Sequence, residues 1–377
     1  MSESSSIPAT QTALQVTGST DPLLKYAKNA IVPKPGPNDI LLRVKANAIN
    51  PADWKRISSG KFPSNVVPGA DASGEVVAIG SKVKGFQIGD HISSFKSGGH
   101  TVENGGGFQE YTLIDPYLSI NYGKRLMCDL ENYVVTAGPV TTFEGAASVP
   151  TGLVTVGLSF YHNLQLSFDK SQQKDKKIVI WGGATATGFL GVQVAKKVFG
   201  LTVLAVASSK NHKTLKKAGA DYTFDYHDPN VVQEIQKVGG ENLVFGYDTV
   251  ANHSTINQLY RALSSTKPVI LENLLGLTED IIEEPRDNVK LTYSLGSLAR
   301  GDLLVGGQTI PSSPEFQASH LAFWKEIQKY IIDGTIEHAP LWVLPNGLGS
   351  IEEALHLSKN NKVSLQKLVI RTDDTKL

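Results

Sequence analysis

The stretch IVIWGGATATGFLG, which begins at Ile178, has the residue types and spacing of a phosphate-binding loop. A continuous apolar run of the kind found in buried strands ends at two glycines, and a helical pattern follows them. Gly182 and Gly183 let the chain turn sharply toward a pyrophosphate, and Gly188 lets the helix pack closely on the strand. The N–H groups at the start of that helix then face the phosphates. The sequence therefore predicts dinucleotide binding by backbone and hydroxyl donors of Ala184, Thr185, Ala186 and Thr187.

This loop lacks a strict G-x-G-x-x-G pattern, so a tight turn that binds nothing is the alternative interpretation. The context favours binding, because a strand precedes the loop, a helix follows it, and a second strand comes at the right distance.

The end of the second strand bears on which dinucleotide is bound. Sheets that bind NAD usually carry Asp or Glu there, where it accepts from the ribose hydroxyls. Here the strand ends in AVASSKNHK, which contains no acid. Ser208 and Ser209 can donate hydrogen bonds, Lys210 supplies positive charge, and Tyr226 after the third strand can close over the same group. These residues favour a 2′-phosphate, and hence NADPH over NADH, with a merely solvated Lys210 as the alternative.

The elements that must position these residues fall into two parts. From about Ala13 to Glu110 the segments are short, β-rich and separated by glycine or proline, which predicts a compact, partly open β-barrel. From Thr151 onward strand and helix patterns alternate, which predicts a doubly wound parallel sheet. After about Glu315 come two helices and a terminal strand that can return to the first domain. The fold class is α/β, with a substrate and catalytic domain over 1–150 and 315–377 and a dinucleotide-binding domain over 151–314.

One segment does not fit this division. Residues 117–149 have weak periodicity and read as a long loop or insertion, with a helix beginning near Phe143.

Composition excludes several other classes of function. Lys plus Arg and Asp plus Glu number 36 each, so no overall basic charge points to nucleic acid or to an anionic membrane. With Cys128 as the single cysteine, neither an intrachain disulfide nor a cysteine-rich zinc site can form. No apolar run reaches the roughly 18 residues that span a bilayer. The N-terminal MSESSSIPATQT lacks a secretory pattern, so we expect a cytoplasmic protein. The oligomeric state stays open, a homodimer included.

A series of motifs resembles the medium-chain dehydrogenase/reductase superfamily over nearly the whole chain: NAINPADWK, PGADASGEVVAIGSKVKGFQIGD, GGFQEY, AASVP, GGATATG and GADYTFDY. Within it the chain resembles the zinc-independent branch of quinone and enoyl reductases. It is similar in particular to fungal trans-acting enoyl reductases and to yeast zinc-type alcohol dehydrogenase-like reductases. The resemblance implies a GroES-like barrel built from both termini and a central Rossmann domain. It also implies a site without metal, because no cysteine stands near Asp53, where the zinc enzymes carry a thiolate.

The resemblance further implies which residues contact the cofactor. They are Ala52, Asp53, Trp54 and Lys55 from the barrel, Ala184 to Gly188 at the phosphates, Ser208, Ser209, Lys210, Asn211 and Tyr226 at the ribose phosphate, and Leu271 and Ser364.

Two of the residues near the nicotinamide are catalytic candidates. Lys55 can polarise a carbonyl oxygen or relay a proton, and the alternative is a lysine that only orients the ribose. The hydroxyl of Thr155 reaches the carboxamide or the substrate oxygen in the resemblance, whereas a hydroxyl on a buried helix normally bonds back to the helix backbone. Asp53 is expected to brace Lys55 or the turn backbone, with an Asx turn after Pro51 as the alternative.

Hydride transfer from a nicotinamide needs an electrophilic acceptor, which a hydrogen-bond donor on a carbonyl oxygen can create without a metal. We therefore expect an NADPH-dependent, metal-independent reductase of a carbonyl-conjugated double bond in an enone, a quinone or an enoyl thioester. The alternatives are an aldehyde reductase, a trans-acting partner of a polyketide synthase and a non-catalytic nucleotide-binding protein. The retained Gly188 weakens the polyketide alternative, since those partners often lack the last glycine. The acceptor pocket is expected to be lined by loops, including Leu291–Arg300.

Overall fold

The computed structural model describes residues 7–19, 21–60, 64–96, 105–128, 132–305 and 308–376. The first six residues of the N-terminal segment and residues 129–131 of the predicted insertion lie outside this set. The described strands are β1 (Thr10–Val16), β2 (Leu24–Ile31), β3 (Ile40–Ala48), β4 (Asp71–Ile79), β5 (His91–Phe95), β6 (Tyr111–Ile114), β7 (Ser119–Asn121), β8 (Val134–Val135), β9 (Lys177–Trp181), β10 (Thr202–Val206), β11 (Tyr222–Phe224), β12 (Leu243–Asp248), β13 (Val269–Asn273), β14 (Val289–Tyr293), β15 (Leu303–Val305), β16 (Gln308–Ile310), β17 (Leu341–Leu344) and β18 (Lys367–Arg371).

The described α-helices are α1 (Pro51–Ser58), α2 (Phe143–Ala147), α3 (Pro150–Gly157), α4 (Ala186–Gln193), α5 (His212–Ala218), α6 (Val231–Gly239), α7 (His253–Ala262), α8 (Pro314–Ile332) and α9 (Ile351–Lys359). A π-helical segment continues α3 over Leu158–Asn163, and another continues α4 over Val194–Val198. None of the described helices combines the length and the apolar character that crossing a bilayer requires.

The central sheet has six strands in the order β11-β10-β9-β12-β13-β14, and every neighbouring pair is parallel. Its inner strands are apolar runs buried on both faces, as a parallel sheet covered by helices requires. This confirms the predicted doubly wound sheet. The prediction of a loop over Leu291–Arg300 is wrong for its first three residues, which belong to edge strand β14. Exposed Lys290 and Tyr293 interrupt the apolar pattern there, because an edge strand is covered on fewer sides.

The second large sheet has eight strands and is mainly antiparallel. It runs β7-β5-β4-β3-β18-β17-β8, with β6 paired to β3. Strand β18 pairs antiparallel with β3, so the end of the chain does return to the first domain. Helix α2 begins at Phe143 as predicted. The start of the predicted insertion is not a loop, however, because Ser119–Asn121 pair with β5.

A single apolar cluster spans both sheets. It joins Ala48 and Phe95 of the barrel to Val154 of α3 and Ile180 of the parallel sheet. The two halves therefore meet through a shared core, and the candidate site lies beside it. The domain limits at 151 and 315 stay predictions.

Candidate cofactor and active site

At the junction of β9 and α4, two glycines have no room for a side chain. Gly182 has φ 79°, and a Cβ there would lie 2.4 Å from Thr249 Oγ1. A Cβ on Gly188 would lie 2.2 Å from the Gly182 carbonyl oxygen. The strand and the first turn of the helix thus approach each other as closely as backbone allows, as the sequence predicted.

The first turn of α4 leaves amide groups for a ligand. Thr185 is the N-cap, and its Oγ1 accepts a hydrogen bond from Gly188 N at 2.9 Å. The same hydroxyl lies 3.0 Å from Thr249 Oγ1, so it is already engaged within the protein. The amides of Ala186 and Thr187 belong to the first helical positions, which have no intrahelical acceptor. These two amides, rather than the Thr185 hydroxyl, are the donors available to a phosphate.

The C-terminal segment lies against the same loop. Leu365 N donates to Ala184 O at 3.0 Å, and Asn211 Nδ2 donates to Ser364 Oγ at 3.2 Å. Three distant segments of the chain therefore bring together Ala184, Asn211 and Ser364, all predicted as cofactor contacts.

At the ends of β10 and β11 the predicted ribose-phosphate residues cluster. Ser208 Oγ donates to the Tyr226 hydroxyl at 2.9 Å. Lys210 is exposed, and its ammonium forms no ion pair within the described residues. Two hydroxyls and a cation thus line this corner.

Sequence reasoning missed an acid at this corner, because it looked for an acid only at the end of the second strand. Asp225, after the third strand, accepts a hydrogen bond from Ser209 N at 3.0 Å. Its other oxygen accepts from His227 N at 3.0 Å and lies 2.7 Å from His227 Nδ1. The hydrogen bonds from His227 and Ser209 hold the pKa of Asp225 well below its usual range. Asp225 fixes the backbone turn that presents Ser209 and Lys210.

Leu271 lies apart from these residues. Its side chain is fully buried in the apolar cluster between β13 and α7, near Leu259 and Leu263. The structure places this side chain in the core of the sheet and not on a surface that a ligand can reach.

The turn that begins α1 is built around Asp53. Its Oδ2 accepts a hydrogen bond from Asn50 N at 2.8 Å, and its Oδ1 accepts one from Ala70 N at 3.1 Å. Of the two predicted roles, the carboxylate therefore braces the turn backbone. Burial raises the pKa of Asp53 to about 6, against the opposing effect of the Asn50 hydrogen bond.

Lys55 and its neighbours form the surface of this turn. The Lys55 side chain is exposed, with Nζ 5.6 Å from the centroid of the Trp54 ring. The protein atoms around this accessible ammonium still remove part of its solvent, which lowers its pKa. Trp54 packs against the barrel core, and its buried Nε1 has no hydrogen-bond partner within the described residues. Ala52 is half-buried. Lys55 is the cation of this turn that remains accessible to a ligand.

A buried polar network beneath the turn was not predicted. Asn50 Nδ2 donates to Asp71 Oδ2 at 2.8 Å, and Asp71 Oδ1 accepts from Thr151 N and Oγ1, both at 2.8 Å. Lys367 Nζ donates to Asn50 Oδ1 at 2.5 Å and lies 3.7 Å from Asp71 Oδ2. Burial raises the pKa of Asp71 and lowers that of Lys367, and each charge opposes the shift of the other. The network joins α1, β4, α3 and β18. In the sequence, the feature that could have indicated it is the charged residue that begins two largely buried strands, Asp71 in β4 and Lys367 in β18.

Thr155 of α3 and the segment after β14 complete the set of residues around the turn. Thr155 Oγ1 donates to Thr151 O at 2.7 Å, which is the backbone bond expected of a helical threonine. Arg56 Nη2 donates to Ser297 Oγ at 2.6 Å, so α1 is joined directly to the segment after β14. Sequence reasoning missed Arg56, because nothing in its neighbourhood marks a contact so distant in the chain.

Comparisons with known proteins agree with this architecture. An alcohol dehydrogenase GroES-like domain matches residues 36–121, and a zinc-binding dehydrogenase domain matches residues 186–270. Uncharacterized protein YCR102C of Saccharomyces cerevisiae is 37% identical over 340 residues, which cover 88% of this chain and 92% of that protein. Trans-enoyl reductase RAP2 of Pyricularia oryzae is 30% identical over 357 residues, which cover 92% of this chain and 94% of that protein. The chain belongs to the medium-chain dehydrogenase/reductase superfamily.

The fold of this medium-chain dehydrogenase/reductase is also found in solved structures. A putative zinc-dependent alcohol dehydrogenase from Rhizobium etli superposes with a TM-score of 0.73 at 20% identity, covering 96% of this chain and 98% of that chain. Membership of the superfamily makes the protein an oxidoreductase that uses a nicotinamide cofactor. The predicted fold class, family and enzyme class are therefore confirmed.

A dinucleotide fits the residues of this medium-chain dehydrogenase/reductase. Gly182 and Gly188, where a Cβ would meet Thr249 Oγ1 and the Gly182 carbonyl oxygen, allow the tight turn that a pyrophosphate loop needs, and the amides of Ala186 and Thr187 in the first turn of α4 have no intrahelical acceptor. No cluster of three or more His, Cys, Asp or Glu side chains suited to a metal occurs among the described residues. The absence of a metal nevertheless stays a prediction, as do the individual cofactor contacts.

Proposed function

We propose that the protein is an NADPH-dependent reductase of a carbon–carbon double bond conjugated to a carbonyl group, and that it works without a resident metal. The observation that carries the proposal is the α1 turn. Its carboxylate and amide side chains, Asp53 and Asn50, are used in hydrogen bonds within the protein. This leaves the ammonium of Lys55 as the hydrogen-bond donor that the turn offers to the carbonyl oxygen of an acceptor.

Several observations support NADPH as the cofactor. Ser208 and Tyr226 are hydrogen-bonded to each other, and Lys210, two residues after Ser208, has an exposed ammonium without an ion pair among the described residues. Together these groups suit a 2′-phosphate better than a free ribose diol. When bound, NADPH would supply the hydride. Ala186 and Thr187 would hold its pyrophosphate, and Ser364 with Asn211 would close the site from the C-terminal side.

Lys55 and Thr155 take different roles in this proposal. A hydroxyl has one proton to donate, and Thr155 gives its proton to the Thr151 carbonyl. Thr155 Oγ1 is therefore left as an acceptor, which suits the N–H of the nicotinamide carboxamide and not a substrate carbonyl. Lys55 donates to the acceptor's carbonyl oxygen, where charge collects as the double bond is reduced. The lowered pKa of Lys55 favours later delivery of its proton.

The named activity of the relative RAP2, a trans-enoyl reductase, supports the choice of a conjugated double bond. The experiment is a panel of enones, quinones, aldehydes and acyl thioesters, each assayed with NADPH and with NADH. We expect turnover of double-bond acceptors with NADPH. Turnover of aldehydes alone would replace this proposal with an aldehyde reductase, and tight NADPH binding without any turnover would support a silent binding protein.

Two variants separate the roles of Lys55. Lys55→Met is expected to lower kcat/KM for the acceptor while the Kd for NADPH stays near that of the wild type. Lys84→Met, at an exposed lysine of the barrel, is the matched control and should change neither quantity. A rise in the Kd for NADPH that accounts for the whole loss would show that Lys55 only orients the ribose.

A further inference from the structure

Glu272 is a fully buried carboxyl group that the chemistry above does not use. It lies on β13 between Tyr247 of β12 and Thr292 of β14, which are its partners in register. None of the ion pairs among the described residues includes it. Burial raises the pKa of this carboxyl, against the opposing effect of its hydrogen bonds. A buried carboxyl without a cation is costly unless hydrogen bonds satisfy its oxygens.

Three side chains converge on this carboxyl group. Oε1 accepts a hydrogen bond from Ser159 Oγ at 3.0 Å. Oε2 accepts from Asn163 Nδ2 at 2.9 Å and from Thr292 Oγ1 at 2.5 Å. Ser159 and Asn163 belong to the π-helical segment that continues α3, and Thr292 belongs to the edge strand. One carboxyl group therefore joins the helix that carries Thr155 to the last strand of the sheet.

The same hydrogen bonds fasten the segment after β14, residues Ser294–Arg300, which we call the cleft loop. Asn163 Nδ2 also lies 3.0 Å from both Tyr293 O and Ser294 Oγ, so two of its three acceptors share one of its two hydrogens. Ser159 Oγ lies 3.4 Å from Ser294 Oγ. The first residue of the cleft loop is thus held by the two side chains that Glu272 orients.

The cleft loop packs against Thr155, the proposed carboxamide acceptor, and against the barrel. A Cβ placed on Gly296 would lie 3.8 Å from Thr155 Oγ1 and 3.8 Å from Phe95 Cζ of the barrel. The next residue, Ser297, accepts a hydrogen bond from Arg56 of α1. The loop therefore packs between Thr155 and Phe95, and a shift of the loop would move it relative to both.

We propose that Glu272 is the positioning residue of the acceptor pocket, because it fixes the base of the cleft loop against the helix that carries Thr155. The proposal rests on the function proposed above. Its structural part, the anchoring of the loop, can be tested without any substrate.

The test compares Glu272→Leu and Glu272→Gln in the full-length protein. Glu241 provides the matched control, because its carboxylate also accepts from neighbouring hydroxyls, Ser265 at 3.4 Å among them, but it precedes β12 at the opposite end of the sheet. Three quantities are measured: hydrogen exchange of the cleft loop without ligand, the Kd for NADPH, and kcat/KM for the best acceptor of the panel.

We expect Glu272→Leu to speed exchange in the cleft loop and to lower kcat/KM by about tenfold or more, since small misplacements of bound reactants can cost on the order of a hundredfold. The Kd for NADPH should change little. Glu272→Gln should rescue both quantities, because an amide can accept from Asn163 and donate to a hydroxyl. Glu241→Leu should leave the loop and kcat/KM unchanged.

Each other outcome overturns the proposal. Unchanged exchange in the cleft loop of Glu272→Leu would show that the carboxyl does not anchor it. Faster exchange with an unchanged kcat/KM would make Glu272 structural only, and equal losses in the Leu and Gln variants would indicate proton transfer instead of positioning. If Glu272→Leu does not fold, Asn163→Ala should loosen the same loop, and failure to do so contradicts the network. If no acceptor is turned over by the wild type, the proposed function fails, while hydrogen exchange still decides whether Glu272 anchors the loop.

Discussion

The substitution Asp53→Asn should change how stability depends on pH. Asp53 is buried, and its pKa is about 6 in the folded protein against an ordinary value of 3.8. The folded state therefore binds a proton between about pH 4 and pH 6 that the unfolded state does not bind. The stability that Asp53 contributes is fully present below about pH 4 and is lost as the pH rises through 6. Each pKa unit corresponds to about 1.4 kcal/mol, so the loss amounts to about 3 kcal/mol.

Asparagine does not titrate, so the variant lacks this loss. The free energy of unfolding of the wild type minus that of Asp53→Asn should fall by about 2.4 kcal/mol between pH 4 and pH 7, which is most of the full effect. Urea unfolding at closely spaced pH values, without cofactor, measures this difference. The Asn side chain also loses one of the two hydrogen bonds that the carboxylate accepts, which shifts the whole curve but not its slope. A flat difference for Asp53→Asn would refute the argument from burial.

Three further predictions concern the phosphate sites and the buried network. Lys210→Glu should weaken NADPH relative to NADH by about tenfold or more in fluorescence titrations, because hydrogen bonds to charged groups are strong, and an unchanged ratio would refute the ribose-phosphate assignment. Gly188→Ala should lower the free energy of unfolding in urea by at least about 1–3 kcal/mol and weaken dinucleotide binding, since its Cβ would lie 2.2 Å from a carbonyl oxygen. Gly138→Ala, where the space is open, should be tolerated, and equal effects of the two substitutions would argue against close packing of the loop. Lys367→Met should cost about 3–5 kcal/mol by leaving Asp71 buried and uncompensated, and adding Asp71→Asn should restore part of that loss; strictly additive effects would contradict the pairing.

The parts of the fold that the sequence predicted are those with strong local patterns. The apolar runs of the inner parallel strands and the glycines at 182 and 188 carry their structure within a few residues. Strand β14 was missed, because an edge strand with exposed Lys290 and Tyr293 has no clear period. The pairing of Ser119–Asn121 with β5 depends on the partner strand, and local sequence does not contain it.

The candidate site divides in the same way. The phosphate-loop residues and Ser364 were predicted, and the structure brings them together. Asp225, Arg56 and Lys367 were missed, because each acts through a partner far along the chain or on a neighbouring strand. Motifs indicate what one segment can do, whereas buried ion pairs and contacts across a cleft follow from how segments pack.

One measurement tests the central claim most directly: the transfer of deuterium from NADPH labelled at the nicotinamide C4 to an α,β-unsaturated ketone or aldehyde by protein treated with a chelator. NMR of the product locates the label. The proposed function predicts that deuterium appears on the β-carbon, and that the chelator-treated protein transfers it at the same rate as untreated protein. Deuterium on the carbonyl carbon, or transfer that returns only when a metal ion is added, would contradict it.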